Sequence, residues 1–264
     1  MNCRLLPILL VAAVLAAACD RRDNAASASP ADTIVGAAQK AIENPGQRKG
    51  GCDQLISAED LKRLLKSTPG EGEAGGLASG KFEWAAIVNR QGELCVVAVA
   101  TDDPAAAWPG SQAIAKAKAF TANAFSSDVM PMSTARLYTL SLPGHSLWSA
   151  ANGNPFNPQC LSTPDHVEGI GKVCGGTIAF GGGLPLYRGQ TRVGGLGVSG
   201  DTPCADHEIA KRIRTAAKLD PPGGAAADDI QYVQADGATI WAHPLCPNTW
   251  RNGRKVGDEP SPAG

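Results

Sequence analysis

The chain has 264 residues, of which 43% are hydrophobic, and its 24 basic and 25 acidic side chains leave a net charge of −1. A chain of this length can bury a sizeable core. The basic residues form no stripe interleaved with aromatic residues, so the composition argues against nucleic acid as a partner.

The N-terminus has the features of an export signal. Arg4 precedes an apolar run, Leu5 to Ala18, that is shorter than a membrane-spanning helix and typical of a signal peptide. Because Cys19 follows directly, we expect residues 1–18 to be a lipoprotein-type signal peptide and Cys19 to be acylated. Two or more acyl chains on that residue would hold the protein firmly at a membrane. Ordinary cleavage after Ala18 is the alternative.

The segment after the signal peptide predicts a tether and a location. Residues 19–51 are rich in Ala, Ser, Asn and Gly, a composition typical of a flexible linker. Asp20, directly after the acylated cysteine, favours periplasmic anchoring to the inner membrane, with the outer membrane as the alternative.

Two helices and a hairpin are predicted in the first half of the remaining chain. Ser57 suits a helix N-cap, with acidic residues in the first turn and leucines on one face, and Pro69 ends that helix. The stretches Phe82–Asn89 and Glu93–Thr101 predict paired strands joined by a tight turn. A second helix is predicted over Ser111–Phe125. The face expected to lie close to a sheet consists of Ile114, Ala117, Thr121 and Ala124.

The second half begins with an irregular stretch over residues 128–172, which contains several prolines and predicts loops and short turns. The last long helix is predicted to begin at Thr202 or Pro203, with acidic residues early and basic residues late. Its predicted buried stripe is Ile209, Ile213 and Ala216. The predicted strands of this half are Thr177–Phe180, Leu184–Tyr187, Arg192–Ser199 and, near the C-terminus, Thr239–Ala242.

The order of these elements predicts the fold class. Because short connections between consecutive strands require antiparallel pairing, we expect an α+β domain over residues 52–219. Its predicted core is a single antiparallel sheet of about five strands with helices packed on it. Residues 220–264 are predicted to be a C-terminal extension that ends in a disordered tail.

Cysteine usage supports an exported protein. Beyond the first 19 residues the chain has an even number of cysteines, which in an oxidising compartment predicts three disulfides. Six cysteines allow 15 pairings. The pairing we favour is Cys52–Cys95, Cys160–Cys174 and Cys204–Cys246.

Two short motifs do not indicate the functions that they usually accompany. Gly195, Gly197 and Gly200 spell G-x-G-x-x-G, but the preceding strand is the second arm of a hairpin rather than part of a parallel strand–helix–strand unit. Ser199 lies in a near match to a serine nucleophile elbow, in which Asp201 stands where that motif needs glycine. We therefore predict neither a dinucleotide site nor a serine hydrolase.

A third pattern is a pair of mirror images, Cys204-x-x-His207 and His243-x-x-Cys246. Four such side chains suit tetrahedral zinc, whereas an oxidising compartment favours a disulfide between the two cysteines. The disulfide would bring His243 towards His207, and two converging imidazoles can ligate haem iron or another metal. The alternative is that the two histidines only make hydrogen bonds.

Longer motifs resemble those of the GlcG/HbpS-like haem-binding, haem-degrading family, in an exported lipoprotein branch. The first signature runs from Trp108-Pro-Gly-Ser111 through Ala115-Lys-Ala-Lys118-Ala to Thr121-Ala-Asn-Ala-Phe125. The second comprises Gly181-Gly-Gly-Leu-Pro-Leu, Val193-Gly-Gly-Leu-Gly-Val-Ser-Gly-Asp201 and Cys204-Ala-Asp-His207.

The resemblance implies a PAS- or profilin-like outline, assembly into homo-oligomers and haem as the cofactor. By position, it assigns cofactor binding to Lys118, Asp206 and His207 and to the backbone of Gly181, Gly182 and Gly183. His243 joins this set from the mirror-image pattern, and His207 and His243 are the predicted metal ligands.

The function predicted from the sequence is that of a membrane-anchored periplasmic haem-binding protein with a binding, storage or redox-sensing role. Its partners would be haem or another small ligand, the membrane and an envelope signalling protein. One alternative is an enzyme that degrades haem or acts on a small oxidised metabolite, although no nucleophile and base are paired in the sequence. The other is a cofactor-free sensory or assembly module of the cell envelope.

Overall fold

The computed structural model describes residues 51–70, 73–163 and 166–261. The predicted signal peptide, Cys19 and all of the tether except Gly51 lie outside these residues. Everything described belongs to one unit of the chain, residues 48–264. Within this part of the chain no helix is both long and apolar enough to span a bilayer.

The centre of the fold is a four-stranded sheet in the order β2-β1-β4-β3. All neighbouring strands in it are antiparallel. Each hairpin joins two strands that are consecutive in the chain, as expected for short connections. The strands are β1 (Trp84–Asn89), β2 (Leu94–Val99), β3 (Gly183–Arg188) and β4 (Thr191–Ser199).

The predicted α+β class with an antiparallel sheet is confirmed, but the sheet has four strands rather than five. The segment Thr177–Phe180 is not a strand. The backbone N–H of Ile178 donates to Thr121 Oγ1 at 3.0 Å, and the carbonyl of Phe180 accepts from Thr134 Oγ1 at 2.6 Å. Side chains therefore satisfy backbone groups that a strand would pair with a neighbour.

Three long helices cover the two faces of the sheet. Ser57 accepts a hydrogen bond from the N–H of Asp60 at the start of the first helix, and Thr202 does the same for Ala205 at the start of the last. These caps satisfy N–H groups that have no partner inside a helix. The helices are α1 (Ala58–Ser67), α2 (Pro109–Phe125) and, after the short α3 (Ala150–Gly153), α4 (Pro203–Ala216).

Strand β1 shows how the two layers are formed, because it is buried along its whole length. Ala85 and Ile87 point to the core shared with α1 and α4, whereas Ala86 and Val88 point to the core shared with α2. This alternation follows from the two-residue period of a strand. The sheet is thus enclosed between helices on both faces.

The prediction of which face of α2 lies against the sheet was wrong. Ala124 is exposed, and the residues that lie against the sheet are Ala115, Ala119 and Asn123, which meet the glycines of β4. The helix backbone approaches the strand closely because Gly195 and Gly197 have no side chains. On α4, Ile209 and Ile213 are buried as predicted, but Ala216 is exposed because the helix ends there.

The C-terminal segment packs beside α4. The predicted strand Thr239–Ala242 is not formed as predicted. The strand found here is Ala242–His243, which pairs in parallel with Gln231–Tyr232. A small hairpin of β7 and β8 follows. The elements are β5 (Gln231–Tyr232), α5 (Val233–Asp236), β6 (Ala242–His243), β7 (Thr249–Arg251) and β8 (Arg254–Gly257).

Three disulfides join distant parts of the chain, and they are the pairs favoured from the sequence. Cys52–Cys95 links the segment that precedes α1 to strand β2. Cys160–Cys174 closes the loop that precedes β3. Cys204–Cys246 links the first turn of α4 to the C-terminal segment. Their Cα–Cα distances of 5.5, 5.7 and 5.9 Å are ordinary for disulfides.

Candidate functional site

The candidate residues predicted from the sequence lie together where β4 ends and β3 begins. Lys118 comes from α2, His207 from α4 and His243 from β6. The glycines 181–183 lead into β3 between them. Side chains from three separate segments, up to 125 positions apart, therefore meet around one turn of backbone.

A buried ion pair joins the helices on the two faces of the sheet. Lys118 Nζ lies 2.5 Å from Asp206 Oδ2 and 2.9 Å from the carbonyl oxygen of Val198. Neither side chain is more than 2% exposed. Lys118 also lies over the ring of Phe180, 4.9 Å from its centroid. Asp206 Oδ1 accepts a hydrogen bond from the N–H of Asp201 at 3.0 Å, so the pair is supported on both sides.

Glu83 is part of this cluster, although the sequence did not single it out. The side chain is fully buried, and neither oxygen has a hydrogen-bond partner as a carboxylate. Burial raises the pKa of Glu83 well above its usual value, and the negative charge of Asp206 raises it further, whereas Lys118 opposes the shift. Neutral Glu83 is therefore the favoured form, and its proton can be donated to Asp206. A lone acidic residue at the start of an apolar strand is the signal that could have identified it.

We expect stability to fall as the pH rises above about 4.5, the ordinary pKa of glutamate. The folded protein keeps the Glu83 proton in a range where the unfolded chain releases it, so raising the pH favours unfolding. Glu83→Gln cannot ionise and should flatten this dependence, becoming more stable than the natural protein at the alkaline end. Urea denaturation at several pH values from about 5 to 8 measures the two slopes. Equal slopes would show that Glu83 ionises normally.

His207 lies on α4 with no exposed surface. Its Nε2 is 3.3 Å from Asp229 Oδ1, but the alignment is poor and both ring nitrogens lack a hydrogen bond. Asp229 is also held by Lys211 Nζ at 2.9 Å. Burial opposes ionisation of Asp229, yet the nearby His207 and Lys211 hold its pKa well below the usual range. His207 is thus a buried imidazole beside a carboxylate that is ionised at neutral pH.

His243 has a defined tautomer. Its Nδ1 is 2.7 Å from the carbonyl oxygen of Pro244, which can only accept, so Nδ1 carries the proton. Its Nε2 accepts the N–H of Gly181 at 3.4 Å, and the ring of Tyr138 lies 4.9 Å away. The pKa of His243 is lowered to about 4, mainly by burial; the hydrogen bond to Pro244 opposes this shift, and the neighbouring His207 and Lys118 add to it. The imidazole is therefore neutral at neutral pH.

Glycines 181–183 are required by close packing on every side. Gly182 has φ of +113°, and a Cβ there would lie 2.7 Å from Lys118 Nζ and 2.8 Å from Asp206 Cβ. A Cβ at Gly181 would press on the backbone of Pro203 and come within 3.2 Å of His207 Cβ. Only glycine lets the backbone pass between the ion pair and the two histidines.

Two cavities lie near this cluster. One, of about 470 Å³, is lined by apolar surface and by the charged residues Glu208, Lys211 and Asp229. The other, of about 210 Å³, is lined by apolar groups of Leu147, Trp148 and Ala179, two residues before Gly181. The first reaches the carboxylate beside His207, and the second approaches the backbone that contacts His243.

The glycines of the G-x-G-x-x-G pattern have a packing role. Gly195 and Gly197 lie in β4, whose neighbours in the sheet are both antiparallel, and Gly200 is in the turn that follows. The strand–helix–strand unit of a dinucleotide site is not formed around them. Ser199, in the near match to a nucleophile elbow, is buried at the end of β4.

Comparison with known proteins gives a family match and several similar folds. The family model described as "Haem degrading protein HbpS-like" matches residues 72–214. No curated protein matches the chain.

Three solved structures are similar to this chain. Klebsiella pneumoniae protein ORFY, of family DUF336, is 21% identical with a TM-score of 0.43, covering 62% of this chain and 90% of its own. PduOC in complex with heme is 24% identical with a TM-score of 0.42, covering 61% and 94%. A double mutant of Streptomyces reticuli HbpS is 18% identical with a TM-score of 0.39, covering 61% and 86%.

Proposed function

This chain belongs to the family of HbpS-like haem-degrading proteins, and from that premise we propose that it binds haem in a storage or redox-sensing role. The observation that carries the proposal is the family match over residues 72–214. That range includes Lys118, Gly181–Gly183, Asp206 and His207. His243 lies beyond it and reaches the same cluster through the C-terminal segment.

The donor chemistry supports haem. Iron in haem proteins is commonly held by a neutral imidazole whose other nitrogen is fixed by a hydrogen bond. His243 meets both conditions, since it is neutral and Nδ1 donates to the carbonyl of Pro244. His207 adds a second buried imidazole, with no hydrogen bond at either nitrogen. Of the four histidines in the chain, these are the two that are buried.

The space beside these donors does not fit the macrocycle. The apolar cavity at Trp148 and Ala179 has about 210 Å³, below the roughly 300–1,000 Å³ of typical ligand sites. The larger cavity contains the charged side chains of Glu208, Lys211 and Asp229, and covering these charges with a flat apolar ring would cost free energy. Haem would therefore need the segment around Ser141–Asn152 to move.

Titration of the purified protein with haem tests the proposal. We expect the Soret band to shift and saturate near one haem per chain. His243→Ala should weaken binding at least about tenfold, because it removes a positioned ligand. His166→Ala is the matched control, since that side chain is 72% exposed and should leave the titration unchanged.

Two outcomes would count against this function. If no saturable Soret shift occurs, the protein does not bind haem, and a cofactor-free role in the envelope gains support. If binding is intact in both His243→Ala and His207→Ala, the cluster is not the site. Irreversible loss of the Soret band when both a reductant and oxygen are present would instead indicate haem turnover.

We also propose a cellular location, the periplasmic face of the inner membrane, with Cys19 as the lipid-bearing residue. Its support is the sequence of the N-terminus alone. Cell fractionation of the full chain beside Cys19→Ala tests it, because only the natural chain should sediment with membranes. Equal partition of the two would rule out the anchor.

A further inference from the structure

We propose that the Cys204–Cys246 disulfide conceals a zinc site, which forms from the two thiolates and His243 when the disulfide is reduced. This inference does not rest on haem binding. Two of its three ligands lie outside residues 72–214, so the site belongs to this chain's C-terminal segment rather than to the part that the family model matches.

The geometry that carries the inference is the convergence of three ligand atoms. Among the described residues, the sulfurs of Cys204 and Cys246 and a ring nitrogen of His243 form the group of metal-binding side chains that lie within 4.8 Å of one another. All three residues are buried. The carbonyl oxygen of Pro244 lies 3.8 Å from Cys204 Sγ and 2.7 Å from His243 Nδ1, which shows how closely the histidine approaches the disulfide.

The backbone already holds the ligands at a suitable separation. Two thiolates, each about 2.3 Å from one tetrahedral zinc ion, stand about 3.8 Å apart. The Cα atoms of Cys204 and Cys246 are 5.9 Å apart, so rotation of the two side chains allows that spacing. Cys204 is held in the capped first turn of α4, and His243 is held in β6. Two of the three ligands thus come from regular secondary structure, and the N–H of Cys246 is held by Thr249 Oγ1 at 2.8 Å.

The combination of thiolate and imidazole ligands favours a metal ion of intermediate softness such as Zn²⁺. Thiolate and imidazole together are the ligands of zinc sites, and three protein ligands leave a fourth position free. The other two disulfides belong to no comparable cluster within the described residues, since neither has a histidine, cysteine or carboxylate oxygen converging on it in this way.

The chemistry balances with a dithiol as the reductant. The dithiol transfers two electrons and two protons to the sulfur–sulfur bond, giving two cysteine thiols, and is itself oxidised to a disulfide. Zinc then displaces one proton from each thiol, so binding releases two protons and forms two zinc–sulfur bonds. The oxidised protein has no thiolate here and cannot bind the ion, so the disulfide controls the site.

The test uses Co²⁺ as a spectroscopic probe for zinc on the whole protein, before and after reduction with a dithiol that is then removed. We expect thiolate-to-cobalt charge-transfer absorption only in the reduced protein, saturating near one ion per chain, and its loss when Zn²⁺ is added. The Cys204→Ser/Cys246→Ser variant should give no such absorption. Cys160→Ser/Cys174→Ser is the matched control and should keep it.

The histidine is tested separately. His243→Ala should weaken cobalt binding by about 10- to 100-fold or more and alter the ligand-field bands, whereas His166→Ala should change neither. The proposal is overturned if the reduced protein keeps its native circular dichroism but gives no thiolate–cobalt absorption. It is equally overturned if the Cys204→Ser/Cys246→Ser variant still gives the signal, or if reduction unfolds the protein and zinc does not restore the fold. The haem titration is made with the disulfides intact, so either proposal can fail without the other.

Discussion

Lys118→Met is expected to destabilise the folded protein by about 3–5 kcal/mol. The substitution removes the cation of a pair in which both side chains are buried, and it leaves the Asp206 carboxylate facing Glu83 without an opposite charge. Breaking a buried pair is costly because the remaining charge is neither solvated nor compensated. Urea denaturation followed by circular dichroism measures the loss.

Two further variants show whether the loss of stability comes from the unpaired carboxylate of Asp206. Lys118→Met combined with Asp206→Asn should be more stable than Lys118→Met alone, because no buried charge is then left unpaired. Lys66→Met breaks the exposed pair with Asp102 and should change the midpoint little, since water screens that contact. If Lys118→Met and Lys66→Met lose equal stability, the buried pair is not formed as described.

Gly197→Ala is expected to cost about 3 kcal/mol, because α2 packs directly against the backbone of β4. A Cβ at this position would lie 2.5 Å from the backbone nitrogen of Ala119 and press on the carbonyl oxygen of Ala115. Neither backbone atom can yield without moving the helix away from the sheet, which would open the core on that face. Thermal and urea denaturation of the variant measure the effect.

The matched control is Gly110→Ala, in the first turn of the same helix. A Cβ there meets nothing within 4 Å, so the substitution should be neutral or stabilise by up to about 1 kcal/mol through the higher helix propensity of alanine. A Gly197→Ala variant as stable as the natural protein would mean that α2 does not approach β4 this closely.

Much of the fold could be predicted because its signals are local. The Ser57 cap and the hairpin between β1 and β2 depend on residues within a few positions of one another. The α+β class followed from the order of such elements. The prediction of a strand over Thr177–Phe180 was wrong because the N–H of Ile178 donates to the hydroxyl of Thr121, 57 positions earlier, and not to a neighbouring strand. Apolar pattern alone does not show where a segment's hydrogen bonds go.

The candidate site was partly within reach of the sequence. Lys118, Asp206 and His207 were selected from motifs, and the structure places them around Gly182 and beside His243. Their role in binding a cofactor stays a prediction. Glu83 was missed because its importance comes from burial beside Asp206, and neither residue's local sequence indicates that contact.

The sequence by itself determined the N-terminal caps of α1 and α4, the tight turn between β1 and β2, and the family signatures. Each of these depends on side chains that are close along the chain and constrain φ and ψ directly. The tertiary structure alone decided which face of α2 meets the sheet, that Lys118 is buried against Asp206 88 positions away, and that Glu83 lies beside that pair. These outcomes depend on packing between distant segments and on the low dielectric that packing creates. Residue patterns within a segment do not contain that information.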